Sequence, residues 1–210
     1  MDEPLRLISE AFDARAARYD ESSMHRSVAA ATADFVDLSG VEVVLDVATG
    51  TGLVLREIAE RAGGLDLIGV DISPGMLDVA RSRLPQAVWI EAEASRIPLP
   101  TASVDLMTCV TALHIIPGVG DAAAEWRRVL RPGGRLVTAT FRKIDVGGHG
   151  APEVPTADRP YESDHEPYAS PPRLSETFGR YGFTMSRHRD WSDGTDELMI
   201  AELITDAPRN

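Results

Sequence analysis

The stretch that decides the fold is VEVVLDVATGTGLVLREIAERA, residues 41–62. Its first seven residues form a short β-branched apolar run, which is typical of a buried strand. Residues 53–62 carry apolar side chains at helical spacing. Between them lies ATGTG, residues 48–52, where Gly50 and Gly52 let the backbone turn tightly and approach a ligand without an intervening Cβ. The stretch therefore predicts a strand, a glycine turn and a helix that together bind a ligand.

Strand and helix patterns continue to alternate on the C-terminal side of this unit. The further strands are predicted at 65–71, at 87–93, from Val104, and at 134–141, 183–191 and 197–205. The helices between them are predicted at 73–84 with Ser73 as N-cap, at 121–130 with Asp121 as N-cap, and from Arg173 to near Gly182. The pattern predicts an α/β fold, with a Rossmann-like seven-stranded, mostly parallel sheet and helices on both faces. The Asp193-Gly194 turn predicts one antiparallel edge hairpin.

The whole chain, residues 1–210, is predicted to form a single domain, because domains most often hold about 100–150 residues. Apolar residues spaced three, four and seven apart predict an N-terminal helical cover over residues 1–38. Residues 142–172 carry six of the 14 prolines and show no clear period. A loop this long in a compact domain is usually a functional lid or a disordered segment, and we predict a Pro-rich lid or substrate loop there.

The charge balance narrows the range of partners. The 21 basic and 33 acidic residues give a net charge of −12, which repels phosphate backbones and disfavours nucleic acid. No stretch approaches the length of a membrane span, and the N-terminus lacks the pattern of a signal peptide. We therefore expect a cytoplasmic protein, and the single Cys109, which excludes an intrachain disulfide, is compatible with this expectation. The oligomeric state stays open between monomer and homodimer.

Two aspartates flank the predicted ligand site. Asp71 ends the second predicted strand, where an acidic side chain can accept hydrogen bonds from a ribose diol. This position predicts an adenosine-containing cofactor across the carboxyl ends of the first two strands. Leu55 stands where the dinucleotide fingerprint has its third glycine, and Asp46 would repel a pyrophosphate but attract an ammonium group. These features favour S-adenosylmethionine, which carries an amine and a sulfonium, over NAD.

Four sequence motifs follow one another in a recognisable order. They are VLDVATGTG (44–52), GVDIS (69–73), IEAEASRIPLPTASVDLMTCVTALHII (90–116) and VLRPGGRL (129–136). With them the chain resembles the class I S-adenosylmethionine-dependent methyltransferases, in particular the branch with ubiquinone/menaquinone-biosynthesis and small-molecule methyltransferases. The resemblance spans about residues 12–204 and is weakest over 142–172. It implies methyl transfer to a small-molecule acceptor, with S-adenosylhomocysteine as the product.

The resemblance implies residues for the methionine end of the cofactor. Asp46 would lie near its amino group, and Val110 would line this end. Tyr19, within FDARAARYD, matches the N-terminal feature that covers the cofactor in this branch. The implied backbone walls are Ala48, Gly50 and Gly52.

The resemblance also implies residues for the adenosine end, where Asp71 would bind the ribose. Ile72 and Met76 would pack on the adenine. Glu93 stands where the family usually has Asp in contact with the adenine amino group, and this departure shifts that contact or leaves it to the Ala94 backbone. Ser95 follows in the same loop.

A catalytic base is harder to assign from the sequence. The best candidate is His114, which follows the predicted fourth strand and has a side chain whose ordinary pKa of about 6.5 suits proton transfer near neutrality. The alternative for His114 is a side chain that fixes its loop by hydrogen bonds. His149, His165 and the carboxylates near them fit no tight metal geometry, so no metal site is predicted.

Three other functions stay open from the sequence. The first is an NAD(P)-dependent oxidoreductase, against which Leu55 and Asp46 argue. The second is a non-catalytic module that uses a methyltransferase fold to bind a cofactor. The third is a tRNA or protein methyltransferase, of which the negative charge disfavours only the RNA enzyme.

Overall fold

A computed structural model of the chain describes residues 1–143 and 160–206. The strands found within these residues are β1 (Val43–Val47), β2 (Asp66–Asp71), β3 (Val88–Glu91), β4 (Val104–Val110), β5 (Leu130–Lys143), β6 (Phe183–Ser192) and β7 (Glu197–Thr205). They form one sheet in the order β3-β2-β1-β4-β5-β7-β6. The first five strands pair in parallel, and β7 runs antiparallel to both β5 and β6. The predicted fold, including the antiparallel edge hairpin, is confirmed.

Helices cover both faces of this sheet. They are α1 (Glu3–Asp13), α2 (Ser23–Phe35), α3 (Leu53–Arg61), α4 (Pro74–Arg83), α5 (Val119–Val129) and α6 (Pro171–Gly179), with a 3-10 helix at Ala16–Glu21. Ser73 caps α4 as predicted, because its side chain accepts a hydrogen bond from the Met76 amide. The predicted Asp121 cap is wrong: α5 begins two residues earlier, and Gly118 is its N-cap in a left-handed conformation.

The core lies in two layers, one on each face of the sheet. One layer centres on Trp126 from α5 and Phe178 from α6, whose rings stack 6.0 Å apart. The other joins Val28 from α2 with Leu55 and Ile58 from α3. Because apolar side chains on both sides cover the parallel strands, the carboxyl ends of these strands are held rigidly beside the N-terminal helices.

The predicted Pro-rich lid lies partly outside the described residues. Strand β5 continues to Lys143, and residues 144–159, which include His149, are not described. Residues 160–172 return along the carboxyl edge of the sheet, where Tyr168 is buried and its carbonyl accepts a hydrogen bond from the Thr140 hydroxyl at 3.1 Å. No helix in the described part of the chain is long and apolar enough to cross a membrane. The single-domain division stays a prediction.

Candidate cofactor site

A cavity opens at the carboxyl ends of β1, β2 and β4, where ligands bind in open α/β sheets. The space between its walls, part of it open to solvent, is about 790 Å³. Its roof consists of apolar side chains from the N-terminal cover, namely Leu5, Ile8, Phe12 and Tyr19. Its far wall is formed by Ile115, Ile116 and Pro117.

Most of the predicted cofactor residues line this cavity. Those that do are Tyr19, Ala48, Gly50, Asp71, Ile72, Glu93, Ala94, Ser95 and Val110. Asp46, Gly52 and Met76 do not line it, because Asp46 lies behind the glycine turn and Met76, which belongs to α4, is fully buried. His114 is also outside the lining. Chain topology thus brings together residues that are up to 91 positions apart, from Tyr19 to Val110.

The glycine turn uses its two glycines differently. Gly50 has φ +55° and lines the cavity, so the left-handed backbone there faces the ligand. Gly52 has φ +77° and a Cβ at this position would lie 2.6 Å from the Trp89 ring. Gly52 therefore serves the packing of the turn against β3, and only Gly50 offers its backbone to a cofactor.

Asp71 ends β2 and binds the glycine turn as well as lining the cavity. One carboxylate oxygen accepts a hydrogen bond from the Gly50 amide at 2.7 Å, and the other accepts one from the Ser73 amide at 2.9 Å. Burial raises the pKa of Asp71, and these backbone hydrogen bonds oppose the shift. Each oxygen keeps lone-pair capacity for a second donor such as a ribose hydroxyl.

Asp46 is almost completely buried, with 2% of its surface exposed. Its two carboxylate oxygens accept hydrogen bonds from the Thr108 and Thr49 hydroxyls, each at 2.6 Å. Burial raises the pKa of Asp46 to about 6, although these hydrogen bonds oppose the rise and the nearby Asp71 adds to it. A cation bound above the turn would favour the ionised form.

The loop that carries Glu93, Ala94 and Ser95 is held by a hydrogen bond from α5. The Trp126 indole donates a hydrogen bond to the Ala94 carbonyl at 2.9 Å, which fixes the segment that carries Glu93 and Ser95. Ile72, next to Asp71, lines the same cavity. The loop can therefore present both a carboxylate and backbone groups to a ligand.

Tyr19 is held against the glycine turn by its neighbours. The His25 ring stacks on the Tyr19 ring with centroids 4.4 Å apart. The next residue, Asp20, accepts hydrogen bonds from the Thr51 hydroxyl at 2.5 Å and from Arg56 at 2.6 Å. These contacts attach the N-terminal cover to the glycine turn and to α3.

A second aspartate attaches the other end of the cover. Asp13 accepts hydrogen bonds from the Ser73 hydroxyl at 2.5 Å and the Gly75 amide at 2.8 Å, at the beginning of α4. Sequence reasoning missed both cover aspartates. The signal was present in FDARAARYD, where each follows an aromatic residue that lines the cavity, Phe12 or Tyr19.

Comparison with known proteins agrees with this geometry. A family model described as "Methyltransferase domain" matches residues 45–138, from β1 into β5. Residues 45–138 of the chain are a methyltransferase domain. The cofactor of this domain is S-adenosylmethionine, and the carboxyl edge of the sheet, the glycine turn and Asp71 meet at one cavity.

Two curated relatives and one solved structure are similar to this methyltransferase domain. Demethylmenaquinone methyltransferase from Deinococcus radiodurans is 41% identical over 112 residues, 51% of this chain and 46% of the relative, so the chain matches about half of that relative's length. The Beutenbergia cavernae demethylmenaquinone methyltransferase is 29% identical over 93% of this chain and 80% of the relative. A putative methyltransferase solved with the Trm112 activator of Haloferax volcanii shares the fold, with TM-score 0.80, 19% identity and coverage of 96% and 99% of the two chains.

The turn of the methyltransferase domain carries a strained residue that predicts a stabilising substitution. Ala48 has φ +54°, and a non-glycine residue in this region costs on the order of 1–3 kcal/mol. We expect Ala48→Gly to raise the free energy of unfolding by about 0.5–1 kcal/mol, because added freedom of the unfolded chain offsets part of the relief. Urea denaturation measures the change. Ala102→Gly, at φ +53° in an exposed loop, is the control and should give a similar gain; a loss at Ala48 alone would contradict the prediction.

His114 packs on the returning lid segment. Its ring stacks on the His165 ring, with centroids 4.1 Å apart, and both rings meet the Phe141 ring edge-on. Its carbonyl accepts a hydrogen bond from the Asp164 amide at 2.8 Å. This placement favours a role in anchoring residues 161–168, while the general-base role stays a prediction.

His114→Ala should separate the two roles of this side chain. We expect the Kd for S-adenosylhomocysteine to change less than about twofold, because the ring does not line the cavity. Hydrogen exchange in residues 161–168 should become faster, because the stacked ring is lost. With an identified acceptor, a fall of about 10²–10⁴-fold in single-turnover rate would instead assign the general base to His114.

No group of three or more metal-binding side chains occurs within residues 1–143 and 160–206. His165, which the sequence placed near other histidines and carboxylates, stacks on His114. His149 lies outside the described residues, and the absence of a metal site stays a prediction for the whole chain.

Proposed function

We propose that the protein transfers the methyl group of S-adenosylmethionine to a small-molecule acceptor and releases S-adenosylhomocysteine. One observation carries this proposal: Asp71, at the end of β2, both lines the cavity and binds the glycine turn at the end of β1. A carboxylate in this place can receive a ribose diol while the turn receives the methionine part of the same molecule.

The proposed chemistry asks little more than positioning from the protein. The cofactor sulfonium is already a good leaving group, so the acceptor atom, methyl carbon and sulfur need only be held in line. Such positioning can lower the barrier by roughly 7–11 kcal/mol. A general base adds on the order of 10²–10⁴-fold only where the nucleophile begins protonated.

The roles of the individual residues belong to this proposal. Ile72 packs on the adenine, and the Glu93 carboxylate or Ala94 backbone binds the adenine amino group. Tyr19 covers the methionine part above Gly50. Met76 and Gly52, which do not line the cavity, act by supporting the walls. The negative potential of the buried Asp46 attracts the amine and the sulfonium from behind the turn.

The oxidoreductase alternative is disfavoured by the position of Leu55. This residue is fully buried in α3 and packs in the core, where the dinucleotide fingerprint needs a glycine for close approach. Isothermal titration with S-adenosylhomocysteine and with NADH tests the choice. Binding of S-adenosylhomocysteine alone supports the proposal, and binding of NADH alone would overturn it.

The acceptor is the open part of the proposal. Two similar proteins are named demethylmenaquinone methyltransferases, so quinols with an unsubstituted ring position are the first acceptors to test. A mass-spectrometric screen with the purified protein, S-adenosylmethionine and host metabolite extract would then identify any methylated product. Cofactor binding without any product would favour the non-catalytic module. The cytoplasmic location stays a prediction.

A further inference from the structure

Thr111 is a strained residue in the wall of the cofactor cavity, directly after β4. Its φ is +53°, in the left-handed region, where a β-branched residue is an outlier because its side chain crowds the backbone. Its amide donates a hydrogen bond to the Ala139 carbonyl of β5 at 2.9 Å, and this contact holds the backbone in place. Such strain persists only where the surrounding structure enforces it, and it is concentrated at functional sites. A glycine would relax this backbone, so the side chain of Thr111 needs a reason of its own.

The hydroxyl of Thr111 makes no hydrogen bond within residues 1–143 and 160–206. It is not one of the buried polar atoms that lack a partner, so it is accessible from outside the protein. Thr138 also has an unbonded hydroxyl, but it lies inside β5, is fully buried and does not line the cavity. A ligand in the cavity can therefore use the hydroxyl of Thr111 but not that of Thr138. Four other threonines near this edge of the sheet donate to protein acceptors, namely Thr49, Thr51, Thr108 and Thr140.

Polar side chains are few in the lining of the cavity. Those among the described residues are Tyr19, Asp71, Glu93, Ser95 and Thr111. The first four belong to the residues predicted to bind the cofactor, so Thr111 is left for another partner. The chain beyond Thr111 gives the cavity an apolar wall, formed by Ala112, Ile115, Ile116 and Pro117. An acceptor in this place would meet one hydroxyl beside an apolar surface.

The order of the strands places Thr111 on the acceptor side of the proposed cofactor. Strand β1 lies between β2 and β4 in the sheet. The proposed ribose site is at Asp71, which ends β2, and the glycine turn that would receive the methionine part follows β1. A cofactor that extends in this direction has β4 beyond its methionine end, and Thr111 is the first residue after β4. Its hydroxyl would therefore be beside the region where the methyl group is transferred.

We propose that the Thr111 hydroxyl binds an oxygen atom of the acceptor and so positions the acceptor against the cofactor methyl group. The inference rests on the proposed function. A threonine hydroxyl can accept a hydrogen bond from an acceptor hydroxyl or donate one to an acceptor carbonyl. The acceptor class is therefore an apolar molecule with a hydroxyl or carbonyl close to the methylated atom. The enforced backbone fixes the place of the Thr111 hydroxyl before the acceptor binds, which reduces the entropy lost on binding.

The test compares pairs of probe molecules that have nearly the same shape and differ in one oxygen. The pairs are p-cresol with p-xylene, and acetophenone with isopropenylbenzene. Each probe is titrated into the protein saturated with S-adenosylhomocysteine, and saturation-transfer NMR measures its Kd. We expect Thr111→Val, which keeps the β-branched shape, to weaken binding of at least one oxygenated probe by about three- to tenfold. The matching hydrocarbon should bind both proteins within about twofold, because it makes no hydrogen bond.

Thr111→Ser separates the hydroxyl from the shape of the side chain. This variant keeps the hydroxyl and loses the methyl group, so it should keep the oxygen-dependent binding that Thr111→Val loses. Both variants should bind S-adenosylhomocysteine within about twofold of the unmodified protein, because the hydroxyl is assigned to the acceptor. Thr195→Val is the control, since it removes a hydroxyl from the exposed turn between β6 and β7, and it should change no affinity.

The proposal is overturned if Thr111→Val weakens no oxygenated probe more than its matching hydrocarbon, or if no oxygenated probe binds the unmodified protein. It is also overturned if Thr111→Val loses about tenfold in affinity for S-adenosylhomocysteine and Thr111→Ser does not, because the hydroxyl would then bind the cofactor. Failure of the unmodified protein to bind S-adenosylhomocysteine would refute the proposed function instead, and the probe titrations without this compound would still test Thr111.

Discussion

Asp46→Asn is expected to stabilise the cofactor-free protein at about pH 7.5 while weakening its affinity for S-adenosylhomocysteine. Asp46 is 2% exposed, and burial raises its pKa to about 6. An asparagine is close to it in shape and can accept a hydrogen bond from one threonine hydroxyl while donating to the other. We expect a gain of about 2 kcal/mol in free energy of unfolding, or about 4–8 °C in Tm.

Proton linkage explains why Asp46→Asn should raise the free energy of unfolding. The pKa of Asp46 is higher in the folded protein than in the unfolded chain, so the folded state binds this proton more tightly. The stability that the proton contributes is present below the unfolded pKa and is lost as the pH rises through about 6. Asparagine does not ionise, so its advantage should be largest above about pH 7 and fall to about a third near pH 4.5.

Thermal unfolding across this pH range, with and without S-adenosylhomocysteine, measures both effects. Affinity for S-adenosylhomocysteine should fall about tenfold, because the bound ligand loses a buried negative charge behind the turn.

Asp105→Asn is the matched control at the opposite end of the sheet. Burial alone would raise the pKa of Asp105, but hydrogen bonds from the Glu42 and Val43 amides and from Arg131 lower it, so this variant should lose stability near neutrality. A stability change at Asp46 that does not vary with pH would contradict the argument.

Asp71→Asn is expected to weaken binding of S-adenosylhomocysteine by about 100-fold or more. The substitution removes the charge that would accept hydrogen bonds from the ribose diol, each worth about 1.5–3 kcal/mol when the acceptor is charged. In the unmodified protein the Gly50 and Ser73 amides donate hydrogen bonds to the Asp71 carboxylate at 2.7 and 2.9 Å. The asparagine side chain would direct an N–H of its own towards one of these two donors. Both effects reduce affinity, and the second also loosens the glycine turn.

The two effects can be separated with deoxy analogues. Isothermal titration of 2′-deoxy- and 3′-deoxy-S-adenosylhomocysteine should show a large penalty with the unmodified protein and a small one with Asp71→Asn. Asp66→Asn, at the exposed beginning of the same strand, is the control and should change affinity by less than about twofold. Equal penalties in both proteins would show that Asp71 supports the turn without binding the ribose.

Local patterns were sufficient to predict the fold. The β-branched run at residues 43–47 and the glycines after it require a buried strand and a tight turn in any context, because side-chain bulk and φ act on near neighbours. Alternation of such runs with helices then implies a parallel sheet, and a parallel sheet brings its carboxyl ends to one edge. For this reason Asp71 could be assigned to the ligand-binding edge from its place after the second strand, whereas Glu93 and Val110 were assigned through the resemblance to the methyltransferase family.

The tertiary structure decided which way each side chain of the site faces and what it contacts. Asp46 and Gly50 are four residues apart, yet only Gly50 lines the cavity, because the strand directs Asp46 towards Thr108 on the neighbouring strand. His114 contacts His165, and Arg15 meets Tyr161 from a segment 146 positions away. Such contacts depend on how distant segments pack, and sequence spacing carries no record of that packing. The sequence by itself determined the fold and the class of cofactor, whereas burial, charge and possible ligands of individual residues required the folded chain.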